Sequence, residues 1–333
     1  MNASEIQQEL FQEIKKNIAV NLSPTEEIAG VLGVSIDGVY RRMRGEKTIS
    51  LDELQLLCSH YHISVDRLLN ISGNGFFFQG DFLDESSFSF DNYVDSIVQN
   101  FTYFNKFQQK EFYGVFKDIP FFHQYHFQEI AAFKDFVWQR NVLHLPKFKN
   151  KKFSFDSHPK ELFAKEQEIL GLYNQMKSIE IWSFETINSI VRQIEYYKDS
   201  LIFESNEDPF RLYGTVENLL NHIEEQAALG YKFKYGDPVR KPLGEYSLYF
   251  NELQIGGNEY LIILDGKKLA AINHSAINYM MTRDVAFTEN MYKSMTNFMK
   301  RSTLISVASE KERSRFFRIL RERIARKKHE LVN

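Results

Sequence analysis

Hydrophobic residues in the N-terminal part of the chain recur every three or four positions, which is the spacing of amphipathic helices. Between residues 25 and 45 the pattern predicts two short helices with a tight turn at Gly33 and a stop at Gly45. Glycine suits the turn because it adopts a positive φ without steric strain. The apolar positions of this segment that can face one core are Ile28, Ala29, Leu32, Val34, Val39 and Met43.

Polar residues at the predicted helix starts support these boundaries. Ser23 and Ser35 are suited to cap the two helices. Ser50 and Glu53 have the spacing of a capping box, which predicts a third amphipathic helix directly afterwards. We therefore expect residues 1–72 to fold as a helical domain.

The second helix of the pair has one apolar side, so its other side would face solvent once the helix is docked. A short docked helix with accessible side chains near its start is the geometry that enters a DNA major groove. Arg41 and Arg44 are candidates for base or phosphate contacts, because arginine is the commonest reader of guanine O6 and N7. The residues predicted to contact double-stranded DNA are Thr25, Ser35, Ile36, Asp37, Gly38, Tyr40, Arg41, Arg42, Arg44, Lys47 and Thr48.

The order of these features resembles the helix-turn-helix domain of lambda-repressor/Cro-like (XRE-type) regulators. A recognition helix ends at Gly45, an amphipathic helix follows, and the run 63–69 closes the segment. The resemblance covers residues 1–72 and implies a five-helix DNA-binding domain. The whole chain is also similar to the BetR-type helix-turn-helix proteins found in Bacteroidetes, through its phenylalanine-rich segment near Phe121 and the motif at 313–317.

Residues 73–230 are predicted to form an aromatic-rich helical domain. Phenylalanine and tyrosine recur at helical spacing between residues 89 and 145, for example at Phe112 and Phe116. Such aromatic stripes usually form a core, although the same rings could line a ligand pocket. Three further amphipathic segments between 159 and 230 predict neighbouring antiparallel helices.

Residues 231–333 are predicted to form a small α+β domain. Asp265 and Gly266 separate two apolar runs and predict an antiparallel hairpin with a two-residue turn. The predicted strands cover residues 246–250, 260–264 and 267–272. The predicted helices lie near residues 276–281 and 288–302, followed by a basic helix at 311–328. The fold class expected for the whole chain is therefore mainly α.

The basic helix combines many lysines and arginines with an apolar stripe, which leaves three interpretations open. It can be a solvated helix that docks by the stripe, a surface for phosphate or another anionic ligand, or a dimerisation helix. The stripe consists of Phe316, Phe317, Leu320 and Ile324.

Composition limits the class of protein further. A chain of 333 residues with 43% hydrophobic residues is long and apolar enough for two or three folded domains. It shows neither an apolar run that could span a membrane nor a signal peptide, so we expect a cytoplasmic protein without a membrane partner. The single cysteine, Cys58, excludes an intrachain disulfide. It lies on an apolar helix face, where a core role and a redox-sensing thiol are both open.

Candidate catalytic and metal-binding patterns are sparse. There is no P-loop, dinucleotide-binding glycine motif, nucleophile elbow or paired-carboxylate motif, so we expect no enzymatic activity and no cofactor. The spacing of His123 and His126 could bind a metal on one helix face, but they lie among phenylalanines without a completing carboxylate. Packing is the favoured interpretation, and no metal is expected.

These patterns lead to a functional hypothesis. We expect a sequence-specific DNA-binding transcriptional regulator that enters the major groove with the helix at residues 36–44. One short helix covers few base pairs, so a homodimer on two half-sites is expected, held together by residues beyond 75. The larger part of the chain could also sense a small-molecule or protein effector. The alternative is a protein–protein interaction or sensing scaffold whose N-terminal domain docks and does not control genes.

Overall fold

A computed structural model describes residues 3–18, 22–69, 75–80, 89–253, 257–274 and 278–331. The chain divides into two compact units, Met1–Gln79 and Gly80–Asn333. The predicted domain boundary between residues 72 and 73 lies outside the described residues. Within the described ranges, no helix combines the length and the apolar character needed to cross a membrane.

The first unit is a cluster of five helices, as far as its residues are described. These helices are α1 (Ala3–Lys16), α2 (Pro24–Leu32), α3 (Ile36–Met43), α4 (Leu51–Tyr61) and α5 (Val65–Leu68). They share one core, in which Ile28 of α2 and Val39 of α3 are fully buried. Cys58 joins this core, and burial raises the pKa of its thiol, which favours the core role over a reactive thiolate. The helices expected here from the sequence are confirmed.

The second unit is built on a mixed sheet that has seven strands within the described residues. The strands are β1 (Lys110–Val115), β2 (Lys177–Trp182), β3 (Tyr246–Phe250), β4 (Glu259–Leu264), β5 (Lys267–Asn273), β6 (Tyr279–Thr282) and β7 (Thr303–Leu304). Their order across the sheet is β6-β5-β4-β1-β2-β3-β7. The adjacent strands β1, β2 and β3 run parallel, and the strands on either side of this group pair antiparallel.

Helices pack on both faces of this sheet. The helices of the second unit, within its described residues, are α6 (Phe90–Asn105), α7 (Phe121–Gln124), α8 (Gln128–Val137), α9 (Lys160–Asn174), α10 (Asn188–Asp199), α11 (Asp208–Leu229), α12 (Val285–Lys300) and α13 (Glu310–Glu330). On one face Phe112 of β1 packs against Phe122 of α7 and Tyr173 of α9. Its neighbour Tyr113 points to the other face, where it lies in a cluster with Met291 of α12. These aromatic residues therefore serve as core.

The sheet corrects the expectation of a helical middle region and a small C-terminal hairpin domain. Residues 110–115 and 177–182, inside the region expected to be helical, are central strands that pair with C-terminal strands. The spacing of four between Phe112 and Phe116 does not discriminate, because it fits one face of a helix and one face of a strand equally well. In β2 the polar Glu180 interrupts the apolar run that marks a buried parallel strand.

In the C-terminal part the predicted hairpin is confirmed and one predicted helix is wrong. Asp265 and Gly266 join β4 to β5 with positive φ values of 45° and 81°, as a two-residue hairpin turn requires. Where a helix is expected near 276–281, residues 279–282 form β6, because they pair with the outer side of β5. Residues 275–277 lie outside the described part of the chain.

The basic helix α13 is docked by its apolar stripe, whose side chains are fully buried. Basic side chains of α13 pair with acidic residues of α10 and α11, as in Arg321 with Glu224, Lys327 with Glu195 and Lys328 with Glu217. The acidic partners neutralise part of the basic charge. This arrangement favours the docked, solvated helix among the three interpretations.

A buried carboxylate lies at the centre of the second unit. Glu180 of β2 is completely buried and contacts Nε2 of His123 at 2.9 Å. The same carboxylate accepts hydrogen bonds from the side chains of Tyr173, Trp182 and Tyr246. Against the opposing effect of burial, His123 and the hydroxyl of Tyr173 hold the pKa of Glu180 below its ordinary value. The contacts of His123 favour packing over the metal-binding interpretation.

Candidate nucleic-acid interface

Two short helices and the turn between them position the candidate interface. Gly33 ends α2 with a left-handed φ of 62°. Ser35 then begins α3, and its hydroxyl accepts a hydrogen bond from the N–H of Gly38 at 3.2 Å, as the sequence predicts. Ser23 occupies the N-cap position of α2 but makes no capping hydrogen bond, and its hydroxyl lies 3.2 Å from that of Thr25.

One side of α3 is exposed and carries several kinds of side chain. Ile36 and Tyr40 are each 45% exposed. Asp37 and Arg41 are exposed on the same helix. Val39 is fully buried, so the opposite side of the helix packs against the core of the first unit. A surface that combines apolar, aromatic, acidic and basic groups can contact base edges as well as phosphates.

Arg42 is buried, although it is among the residues predicted from the sequence to contact DNA. It is 2% exposed, and its guanidinium donates to both carboxylate oxygens of Glu53 in α4, at 3.1 and 2.5 Å. It also donates to the backbone oxygen of Gly38, one turn earlier, at 2.9 Å. Because these partners lie inside the first unit, Arg42 fixes α3 on α4 and is not on the exposed side of α3, which corrects its place among the predicted DNA contacts.

Glu53 connects this contact to the start of α4. Its backbone N–H donates to the hydroxyl of Ser50 at 3.1 Å, and the N–H of Ser50 donates to its carboxylate at 3.3 Å. The predicted capping box is thus confirmed. The hydrogen bond from Arg42 lowers the pKa of Glu53 against the opposing effect of burial, so the carboxylate of Glu53 is ionised at neutral pH.

Gln7 of α1 is a positioning residue that the sequence does not reveal. Its amide donates to the backbone oxygens of Arg42 at 2.7 Å and Lys47 at 2.8 Å. Its side-chain oxygen accepts a hydrogen bond from the N–H of Ile49 at 3.0 Å. The partners are backbone groups at least 35 residues away, so no local pattern could identify this glutamine. Its three bonds fix the loop between α3 and α4.

That loop carries two of the remaining predicted contacts. Lys47 and Thr48 are exposed there, whereas Thr25 is half-buried near the start of α2. Because Gln7 holds the loop, Lys47 and Thr48 keep a defined position relative to α3. Contacts with phosphates need such fixed positions, since they set the register of a recognition helix on the duplex.

Glu46 lies among the basic side chains of the interface. Its carboxylate accepts hydrogen bonds from Arg44 at 2.6 and 3.1 Å and lies 3.9 Å from Arg41. The hydrogen bond from Arg44 lowers the pKa of Glu46, so the carboxylate is ionised at neutral pH. Exposed ion pairs of this kind are weak, so phosphate can replace Glu46 as the partner of either arginine.

Comparison with known proteins agrees with this geometry. Residues 6–77 match the family model described as BetR domain, a range that lies within the first unit. No curated protein and no solved structure matches the chain. The N-terminal unit is therefore a helix-turn-helix domain of the BetR type, which at the level of the family indicates a DNA-binding regulator.

Proposed function

We propose that this protein is a sequence-specific transcriptional regulator that binds duplex DNA as a homodimer. In each protomer α3 enters the major groove, where the exposed side chains of Ile36, Tyr40 and Arg41 meet base edges. Lys47 and Thr48 contact phosphates beside the groove. The observation that carries the proposal is the exposed side of α3, on a helix whose back is fixed in the core.

Two observations support the homodimer. A recognition helix of eight residues covers few base pairs, so useful specificity needs two copies on half-sites about one helical turn apart. The second unit exposes Leu229, Leu243 and Val307. These residues lie at one end of α11, because the N–H of Leu243 bonds the backbone of Lys232 and that of Val307 bonds the backbone of Ala227. Clustered exposed apolar side chains are typical of interfaces.

A polar cavity in the second unit supports the further proposal that the protein senses an effector. The cavity is open to solvent, has a volume of about 770 Å³ and is lined by His222, Asp237 and Arg240, among others. Such a lining fits a small polar molecule. Native mass spectrometry is expected to detect a co-purified ligand that Arg240→Ala loses. Equal retention of that ligand by Arg240→Ala would show that the ligand does not bind in this cavity.

Binding to random duplex DNA at increasing salt tests the regulator against the alternative of a protein–protein scaffold. A regulator is expected to show a clear negative dependence of log affinity on log salt, because phosphate contacts release counterions. Selection of bound duplexes from a pool of random DNA sequences should then enrich one motif with two half-sites. Failure of both binding and enrichment would favour the scaffold, in which the N-terminal unit docks on another protein.

A further inference from the structure

A buried cluster of two carboxylates and one histidine in the second unit takes no part in the proposed DNA binding. Asp135 comes from α8, Glu166 from α9, and His158 from the turn that precedes α9. Nε2 of His158 lies 3.1 Å from a carboxylate oxygen of Asp135 and 3.5 Å from one of Glu166. All three residues are buried.

Several polar atoms of this cluster have no hydrogen-bond partner among the described residues. They are both carboxylate oxygens of Glu166, one oxygen of Asp135 and Nδ1 of His158. A buried carboxylate without a donor is costly, whereas a cation held between the oxygens would satisfy it. One ligand atom from each residue lies within 4.8 Å of the other two, close enough for one cation to contact all three after small side-chain shifts.

We propose that Asp135, His158 and Glu166 bind one divalent transition-metal cation, which fastens the segment between α8 and α9 to both helices. Two carboxylates and a neutral imidazole together carry a charge of −2, which a divalent cation balances. The imidazole ligand favours a cation such as Zn²⁺ or Mn²⁺ over Mg²⁺ and Ca²⁺, which prefer sites made of oxygen ligands.

Protons are the competing way to stabilise the cluster. Burial, and after it the carboxylate of Asp135, raises the pKa of Glu166 to about 9. One proton on Glu166 and a second proton on the imidazole of His158 would balance the charge of −2 in place of a cation. The two accounts differ in a measurable way, because only the metal account requires one bound cation per chain.

Metal binding to the full-length protein distinguishes the two accounts. Chelator-treated protein is dialysed against Zn²⁺ or Mn²⁺, and the bound metal is counted by inductively coupled plasma mass spectrometry. We expect one equivalent per chain and a melting temperature that rises by about 5 °C at saturating metal. Mg²⁺ should give neither effect. Binding of neither Zn²⁺ nor Mn²⁺ at about 100 µM free metal would overturn the proposal.

Variants locate the bound metal. Glu166→Gln and Asp135→Asn are expected to weaken binding by about 100-fold or more. Glu168→Gln is the matched control, because Glu168 is an exposed carboxylate on the same helix, and it should bind metal normally. Unchanged binding in Glu166→Gln would refute the assignment.

Hydrogen exchange of the unaltered protein decides the question even if the variants fail to fold. With Zn²⁺ bound, amide exchange should slow in α8, in residues 155–159 and in α9, because the cation fastens these segments together. Slowing that is confined to other parts of the chain would overturn the proposal.

Discussion

At the scale of single residues, three neighbouring arginines have different roles. Arg42 is buried against Glu53, whereas Arg41 and Arg44 are each 55% exposed beside Glu46. The helical period explains the difference, because Arg42 follows Val39 by three positions and shares its buried side. The sequence shows this period, but an arginine is long enough to reach solvent from such a position. Only the position of Glu53 in the folded unit shows that the guanidinium of Arg42 is buried.

Replacing Arg42 by alanine is expected to destabilise the first unit. The change leaves Glu53 without its charged partner, and the expected loss is about 2–4 kcal/mol in the free energy of unfolding. Arg44→Ala is the matched control, because its ion pair is exposed and its loss should leave stability nearly unchanged. Hydrogen exchange of the α3 and α4 amides in the full-length variants measures the difference. Equal protection in the two variants would disprove the structural role of Arg42.

Replacing Glu46 by glutamine is expected to strengthen DNA binding. The change removes the carboxylate that competes with phosphate for Arg41 and Arg44, so affinity should rise about threefold at low salt and less at high salt. Glu9→Gln, which removes an exposed charge from α1, controls for net charge. Fluorescence anisotropy with a labelled duplex at two salt concentrations measures both variants. Weaker binding by Glu46→Gln would mean that the carboxylate positions the arginines and does not compete for them.

At the scale of elements, the sequence predicts the first unit much better than the second. The starts of α3 and α4 follow from local contacts, because Ser35 and Ser50 accept hydrogen bonds within their own helix starts. The sheet depends on distant partners instead: Tyr113 of β1 lies beside Ile179 of β2 and Leu261 of β4. No local pattern specifies such neighbours, so the sequence does not distinguish β1 and β2 from the helices that precede and follow them.

The candidate interface shows the same division. The exposure of Ile36, Tyr40 and Arg41 follows from the helical period alone. The positions of Gln7 and Arg42 depend on tertiary packing, since their partners belong to other helices and loops. Sequence patterns therefore predict the candidate DNA-binding surface better than the contacts that hold this surface in place.

The buried histidine of α11 predicts that the stability of the second unit depends on pH. Burial, with a contribution from His123, lowers the pKa of His222 to about 4. A histidine in an unfolded chain titrates near pH 6.5, so the unfolded state gains a proton before the folded state does. Stability from this group is therefore fully present above pH 6.5. As the pH falls from about 6.5 to about 4, the free energy of unfolding decreases by about 2–3 kcal/mol through this group.

Thermal unfolding between about pH 7 and pH 4.5 measures this effect. His222→Gln removes the titrating group, so it is expected to lose less stability over that range than the unaltered protein. His144→Gln is the control, because His144 is exposed, and it should show the full loss. The same pH dependence in His222→Gln and in the unaltered protein would contradict a neutral, buried His222.

At the scale of the whole molecule, we propose that the first unit binds DNA and that the second unit forms the dimer. Sedimentation equilibrium is expected to give two chains for the full-length protein at micromolar concentration and one chain for a fragment ending at Gln79. That fragment should be helical by circular dichroism, because the core of the first unit closes within itself. A single-chain mass for the full-length protein would contradict the dimer, and a two-chain mass for the fragment would move the interface to the first unit.

Equilibrium binding of the Arg41→Ala variant tests whether the exposed side of α3 recognises DNA. The duplex is one selected from a random pool by the unaltered protein. We predict that Arg41→Ala binds it about 1–3 kcal/mol more weakly, with unchanged hydrogen exchange in α3. Arg301→Ala, which removes an exposed arginine from the second unit, should bind it as tightly as the unaltered protein. Equal affinity of Arg41→Ala and the unaltered protein for this duplex would show that α3 does not recognise DNA through this side.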